Sequence, residues 1–476
     1  MRAPRSGGGP TVTEYATGHS GGFNSIALGP DGNMWFAGAG TAMGTITNSG
    51  TVSFLPATQN TGEMATGDDG GMWFSQQFRD GSTDIARMTA SGSVTTYTGG
   101  TIGANGSLAT GGFARGLDNA MWFGERTLTG SDIAIGRITY TGTITEYAVT
   151  LPSGDLGSPV AMTTGPDNAI WFVVQPISPS VTSYVGRIST TSTHTITVYP
   201  LSTTSSLLQK IATGPDGALW FTDSGTNSIG KITTAGAITE YTVPTASAAP
   251  WGIAPGGDGN LWFTEYNTGN VGSITTSGTA TEYTGTASAN APVEMAQAAA
   301  GTVWFAEQNG SNANIGHVSF SVTSGRYLIV TQNTPTLTAS VGTTATFTCA
   351  LTIRTVDYTD PYMHLLDWGY GTHSTGSGTF PIENYPTASY LSWAVPDLSA
   401  TYHTYANSGA PGQNVWLGSK GQDQTHCVDL KLTVPTSISS GTYNAAIEYL
   451  ANWSSTPTGL STTWGYKIVN FNVVVN

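Results

Sequence analysis

The sequence predicts an all-β chain: a seven-bladed β-propeller closed by its N-terminal strand, followed by a C-terminal immunoglobulin-like β-sandwich. Three observations carry that prediction. The dipeptide Trp-Phe recurs seven times, at Trp35, Trp73, Trp122, Trp171, Trp220, Trp262 and Trp304. Between copies lie short alternating runs bounded by Gly, Asn, Asp or Pro, about four per period of roughly 40–50 residues, which is the pattern of a propeller blade. The phrase that ends each period is missing after the last copy and present before the first.

Each element of the repeat has a physical reading. Four residues before the Trp stands an Asp, at Asp31, Asp69, Asp118, Asp167, Asp216 and Asp258, with Ala300 in the seventh copy. Asp-Gly and Asp-Asn steps suit turns because they tolerate positive φ. Calcium at these loops is the weaker reading, since each supplies a single carboxylate. A second phrase follows the Trp: MGTI from Met43, IARM from Ile85, IGRI from Ile135, VGRI from Val185, IGKI from Ile229, VGSI from Val271 and IGHV from Ile315. A third ends in an aromatic residue, as in ITEY ending at Tyr147 and Tyr241, ITVY at Tyr199 and ATEY at Tyr283, with weaker copies at Phe54 and Tyr97. One amphipathic sheet cannot bury both of its faces, so blades must stack. The recurring Trp-Phe therefore reads as inter-blade core rather than as seven ligand sites.

After Val318 no third phrase follows, but VTEY, Val12 to Tyr15, precedes the first Trp-Phe. The N-terminal strand is expected to complete the seventh blade and leave no open edge. The expected domains are a tail at 1–10, the propeller at 11–322 and the sandwich at 326–476.

In the last third, YLIVTQ, ATFTCALTI, VDLKLTV, TYNAAIEYL and YKIVNFNVVV read as strands. The phrase SGTY from Ser440 resembles one found in bacterial immunoglobulin-like modules. Residues 357–414 read as a long insertion rich in Tyr, Trp and His, fitted either to recognition or to a small core of its own. Cys349 and Cys427 are the only cysteines. A disulfide between them would close a long loop and add roughly 4 kcal/mol in the chain-entropy picture; two buried thiols are the alternative.

Only 9% of residues are charged, the formal net charge is −14, and Gly alone numbers 62. No Lys/Arg run suits a nucleic acid, and no apolar run is long enough for a membrane span. The Thr/Ser/Gly surface points to an extracellular or cell-surface setting. Met1–Pro10 has two arginines but no apolar stretch, so it is not a complete signal peptide. Asn105, Asn309 and Asn452 stand in glycosylation sequons.

The phrases GPDGALWFTD…IGKITTAGAITEYTVPT, from Gly214 to Thr245, and GDGNLWFTE…VGSITTSGTATEY, from Gly257 to Tyr283, resemble the repeats of the streptogramin (virginiamycin B) lyase family. The resemblance covers about residues 11–320. It implies a seven-bladed propeller and, in members with lyase activity, opening of a cyclic depsipeptide ester by elimination. A histidine base and a Mg²⁺ ion near the central channel do that chemistry. The family histidine stands eleven residues before a blade Trp. Here those positions hold Asn24, Gly62, Gly111, Val160, Gln209, Trp251 and Val293. Three residues after each Trp stand Gly38, Gln76, Glu125, Val174, Asp223, Glu265 and Glu307. Glu265 and Glu307, in adjacent blades, are weak candidates for a shared Mg²⁺ or Ca²⁺; hydrogen bonding to blade backbones is the alternative. The propeller histidines His19, His194 and His317 read as lying in a linker, a turn and the IGHV strand.

Three functions follow from this reading. The favoured one is a non-catalytic structural or adhesive protein that needs no cofactor. It would assemble with copies of itself, the Gly-rich tail or the final strand Phe471–Val475 adding to a neighbour's sheet. The second is a glycan- or peptide-binding propeller, with Trp251, Glu125, Glu265 and Glu307 as candidate ligand-binding residues. The third is a Mg²⁺-dependent carbon–oxygen lyase with relocated catalytic groups.

Overall fold

The computed structural model describes residues 10–319 except 39–41, 56–59, 68, 78–82, 99–107, 117, 119, 127–132, 153–156, 168, 178–181, 192, 286–290, 299–301 and 309–312. From 326 onward it describes strand backbones and a few flanking residues. The chain divides into two compact units, Met1–Ser321 and Val322–Asn476.

The first unit is seven four-stranded antiparallel sheets. Blade 5 shows the pattern: Leu208–Thr213 innermost, then Leu219–Asp223, Ser228–Ile232 and outermost Ile238–Thr242. The innermost strands of successive blades neighbour one another round the ring, and that of blade 1, Phe23–Leu28, meets that of blade 7, Pro292–Gln297. Blade 7 takes its outermost strand from the N-terminus. Thr11–His19 pairs antiparallel with Ala313–Ser319, with Val12 opposite Val318 and Tyr15 opposite Ile315. The ring is closed as the sequence predicts. His19 is the last residue of that strand rather than part of a linker.

The repeated residues form one packing unit. All seven Trp rings are buried. The Asp four residues earlier accepts the indole Nε1–H in six blades, at 2.8 Å for Trp35 on Asp31 and 3.0 Å for Trp220 on Asp216. Its other oxygen meets the base in the middle of the second phrase: Arg87 on Asp69, Arg137 on Asp118 at 2.5 Å, Arg187 on Asp167 at 2.6 Å and Lys231 on Asp216 at 2.6 Å. The Tyr of the third phrase stacks on the same Trp, as Tyr241 does on Trp220 with centroids 5.7 Å apart. The Asp is thus an indole anchor as well as a turn residue. The Gly of the second phrase makes room for the Phe beside the Trp. A Cβ on Gly230 would run into the Phe221 ring.

Blade 7 lacks the anchor. Ala300 replaces the Asp, and the buried Trp304 Nε1 has no partner among the described residues. His317, at the basic position of the second phrase, stacks on that indole at 4.4 Å, and Tyr15 stacks on it at 5.5 Å as its counterparts do in other blades. Ala300→Asp is expected to raise stability by about 1 kcal/mol, the net worth of one buried hydrogen bond; urea unfolding measures it.

The second unit holds two sheets. One is ordered Arg326–Gln332, Thr344–Asp357, Gln424–Thr433, Tyr390–Ala394, Ser377–Pro381. The other is ordered Thr336–Ala339, Thr462–Val475, Gly441–Ser454, Tyr362–Gly369, Asn414–Ser419, Thr404–Tyr405. Stretch 357–414 therefore supplies strands to both sheets instead of lying outside them. The final strand is paired on both sides, with Gly441–Ser454 and, in parallel, with Thr336–Ala339. Phe471–Val475 is not a free edge, so it cannot add to a neighbour's sheet without displacing its own partners. Cys349 and Cys427 lie on adjacent antiparallel strands, with Cys427 opposite Thr352. Their side chains lie outside the described residues, as do those of the 357–414 aromatics. The tail at 1–9 and the sequons Asn105 and Asn309 also fall outside.

Candidate functional site

The innermost strands share a local irregularity. In each blade the pairing with the second strand slips near the residue ten positions before the Trp. It slips between Thr61 and Met64, between Leu208 and Ile211, and between Pro292 and Met295. Such bulges re-aim a side chain. At this level the seven blades present Ser25, Glu63, Gly112, Ala161, Lys210, Gly252 and Glu294. Four are small and uncharged; three carry charge, in blades 2, 5 and 7.

Those three meet across the channel. The Lys210 ammonium donates to Glu63 Oε1, and Glu294 Oε1 lies 3.1 Å from it. The Lys210 side chain is only 9% exposed, so the ion pairs form largely out of water. Burial alone would lower the Lys210 pKa, but the two carboxylates outweigh it and raise it. Burial pushes the Glu294 carboxyl up to about 8, with Glu63 adding to the shift and Lys210 opposing it. The protein thus builds a charged brace in a chain where charge is scarce. Beside the brace lies a cavity of about 280 Å³ with walls from all seven innermost strands, including Ala27, Ala65, Ala212, Ala254 and Ala296.

Threonines two residues after the Trp tie the bulges together. Thr222 Oγ1 accepts the Lys210 N–H at 3.1 Å and donates to the Trp251 carbonyl of the next blade. Thr264 Oγ1 accepts the Gly252 N–H at 2.8 Å and donates to the Val293 carbonyl at 2.7 Å. Each hydroxyl satisfies a donor freed by a bulge and an acceptor on its neighbour.

Trp251 sits half-buried on the innermost strand of blade 6 and packs on Tyr266, ring centroids 5.0 Å apart. It is not among the residues lining the cavity. Glu125, Glu265 and Glu307 stand at or near the ends of second strands and are buried. In blades 5 and 6 the residue at this position pins a loop. In blade 5, Asp223 Oδ1 accepts the N–H groups of Leu207, Gly225 and Thr226 at 2.8, 3.0 and 3.2 Å. In blade 6, Glu265 Oε2 accepts Thr268 Oγ1–H at 2.6 Å and an Asn270 Nδ2–H at 3.3 Å.

Burial, together with Glu282 beside it, pushes the Glu265 carboxyl up to about 7, against the opposing bonds from Thr268 and Asn270. A carboxyl whose folded pKa exceeds its unfolded one loses stability as pH rises from its ordinary range to its folded value. Glu265→Gln keeps an acceptor for Thr268 and removes that loss. It is expected to gain about 1–2 kcal/mol over the parent at pH 8 and little at pH 4.5, by urea unfolding at both.

The histidine that the family resemblance implies, eleven residues before a blade Trp, is absent from all seven blades. Glu265 is engaged with its own loop and with Glu282 of its own blade. Among the described residues, no group of three or more His, Cys, Asp and Glu is placed to hold a metal. The residues at these positions do not fit that ion. The described propeller histidines lie against aromatic rings: His19 is tilted against Phe23 at 5.7 Å, His194 stacks on Tyr147 at 4.5 Å and His317 stacks on Trp304 at 4.4 Å.

Sequence reasoning missed the brace. The signal was there: each charge stands one residue after the position scanned for histidine. Three charges at one repeat position in so weakly charged a chain are a pattern in themselves.

Comparison with known proteins agrees with the blade geometry. The model of the virginiamycin B lyase family matches residues 57–357. A streptogramin B lyase structure is 29% identical over 66% of this chain and 98% of its own, with TM-score 0.54. The Staphylococcus aureus virginiamycin B lyase is 28% identical, over 66% of this chain and all of its own, at the same TM-score. A catalytically inactive histidine-to-alanine variant of that enzyme, with quinupristin, matches equally well. A search of curated sequences finds no significant match. With more than half its length matched by the family model and seven four-stranded blades, the chain belongs to the virginiamycin B lyase family.

Proposed function

We propose that this family member is not a lyase but a structural or adhesive protein of the extracellular space or cell surface, assembling with copies of itself. The observation that carries the non-catalytic half is the set of residues where the base would stand. Elimination needs a base within hydrogen-bond reach of the abstracted proton. A histidine-to-alanine variant of the Staphylococcus aureus relative is catalytically inactive; here the seven positions eleven residues before a blade Trp hold other residues, and Trp251 fills the one with the most family-like flanks. Low charge, a Thr/Ser/Gly surface and an appended all-β unit support the assembly half. A Cys349–Cys427 bridge belongs to the same extracellular reading, and a two-proton mass change on reduction tests it.

Incubation with a streptogramin B ester and Mg²⁺, followed by mass spectrometry, is expected to return the ester intact. A linearised product overturns the non-catalytic reading. Light scattering and electron microscopy of concentrated protein are expected to find ordered oligomers; a strict monomer overturns the assembly reading.

A further inference from the structure

We infer that the channel cavity beside the Glu63–Lys210–Glu294 brace binds a small organic monovalent cation, an alkylammonium, with the Glu294 carboxylate as its counter-charge. The inference stands apart from the assembly reading, since it concerns only the inside of the ring.

Charge is the first argument. Two carboxylates face one ammonium in a channel where the other blades present Ser25, Gly112, Ala161 and Gly252 at the same level. The described ion pairs place one cation, Lys210, on these two carboxylates. The brace is therefore one positive charge short whenever both carboxyls are ionised. A charge withdrawn from water is held only if it is paired.

Geometry is the second. Glu294 Oε1 faces Lys210, while Glu294 Oε2 is buried and has no partner among the described residues. A buried acceptor left unpaired costs about 1–3 kcal/mol, more if charged. An ammonium N–H supplies both the missing donor and the missing charge.

The cavity is the third. A volume of about 280 Å³ admits several heavy atoms beyond the head group, and the alanines on its wall suit a short alkyl chain. A divalent ion suits it less. The Lys210 ammonium already sits on the same carboxylates, so a second plus charge would overshoot.

When no cation is bound, a proton on Glu294 does the balancing, which is what burial favours there. Binding then exchanges one proton for one cation: the carboxyl O–H breaks, the proton leaves to buffer, and the oxygen accepts from the ammonium. Affinity must rise with pH in step with Glu294 ionisation.

The test is calorimetry on the full chain with methylammonium, butylammonium and sodium chlorides at equal ionic strength. Two buffers of different ionisation heat count the protons. Saturable binding is expected, tighter for butylammonium than for methylammonium, with about one proton released at pH 7. From pH 7 to 9 affinity is expected to rise about tenfold, because Glu294 passes from mostly protonated to mostly ionised. Glu294→Gln is expected to fold and to bind at least about tenfold more weakly. No saturable binding, equal binding of sodium, a pH-independent affinity in the parent protein, or unweakened binding by Glu294→Gln would each overturn the inference.

Discussion

Lys210→Met is expected to destabilise the propeller by about 3–5 kcal/mol at pH 8, the usual loss when one partner of a buried ion pair is removed. The methionine fills much of the same space but leaves Glu63 and Glu294 facing each other across the channel without a cation. The pH dependence gives the prediction its sign. Lys210 has a raised pKa, so its contribution is complete below the ordinary lysine range and fades only above it. Glu294 behaves in the opposite sense. Glu294 already titrates near 8, and losing the lysine removes what held it down, so the variant takes up protons more readily still. The deficit should therefore shrink between pH 8 and pH 5, where Glu294 is increasingly protonated and repels Glu63 less. Urea unfolding of parent and variant at both pH values measures it. A deficit that does not change with pH would mean that the lysine acts through packing alone.

Asp216→Ala is expected to cost about 3 kcal/mol, far more than an exposed turn substitution. It removes the acceptor of the Trp220 indole, the partner of Lys231 and a bond from the Ala218 N–H. The buried indole N–H is then left unpaired, which alone is worth about 1–3 kcal/mol. Asp216→Asn keeps an acceptor for the indole but not the charge facing Lys231, and should lose roughly half as much. Burial raises the Asp216 pKa, but Lys231, Trp220 and the Ala218 N–H together bring it below the ordinary value. The stabilisation is thus present above the unfolded pKa and disappears as pH falls through the folded one. The gap between parent and Asp216→Ala should close in strong acid, as thermal unfolding across pH 2–7 would record.

The ring was legible because its signals are local. Trp220, Gly230 and Tyr241 sit within one blade, and each residue type answers to a neighbour a few positions or one hairpin away. The closure was legible for the same reason, since VTEY is a recognisable copy of a phrase displaced to the other end of the chain. The brace was not, because Glu63 and Lys210 are 147 residues apart and meet only once seven blades have turned a circle. A bulge at the same place in each blade decides where those side chains point, and nothing in a strand pattern announces a bulge. The anchoring role of Asp216 was half legible: Asp-Gly reads as a turn, while the bond to Trp220 depends on how the indole is turned. In the second unit the strand runs were readable. Their order was not, so the final strand looked like an edge and stretch 357–414 like an insertion.

The strand borrowed from the N-terminus also has a mechanical side. Thr11, where the propeller begins, lies directly opposite Ser319, where its last strand ends. Tension between the chain before residue 11 and the chain after residue 319 would act on both strands from the same end. The hydrogen bonds of the seam would then load one after another, as in a zipper, rather than all together in shear. Blade 7, whose Trp304 already lacks its aspartate, is where a pulled ring would open first. A protein held under load at its two ends would have this seam as its weakest fastening, and re-pairing Thr11–His19 would be enough to make the circle whole again.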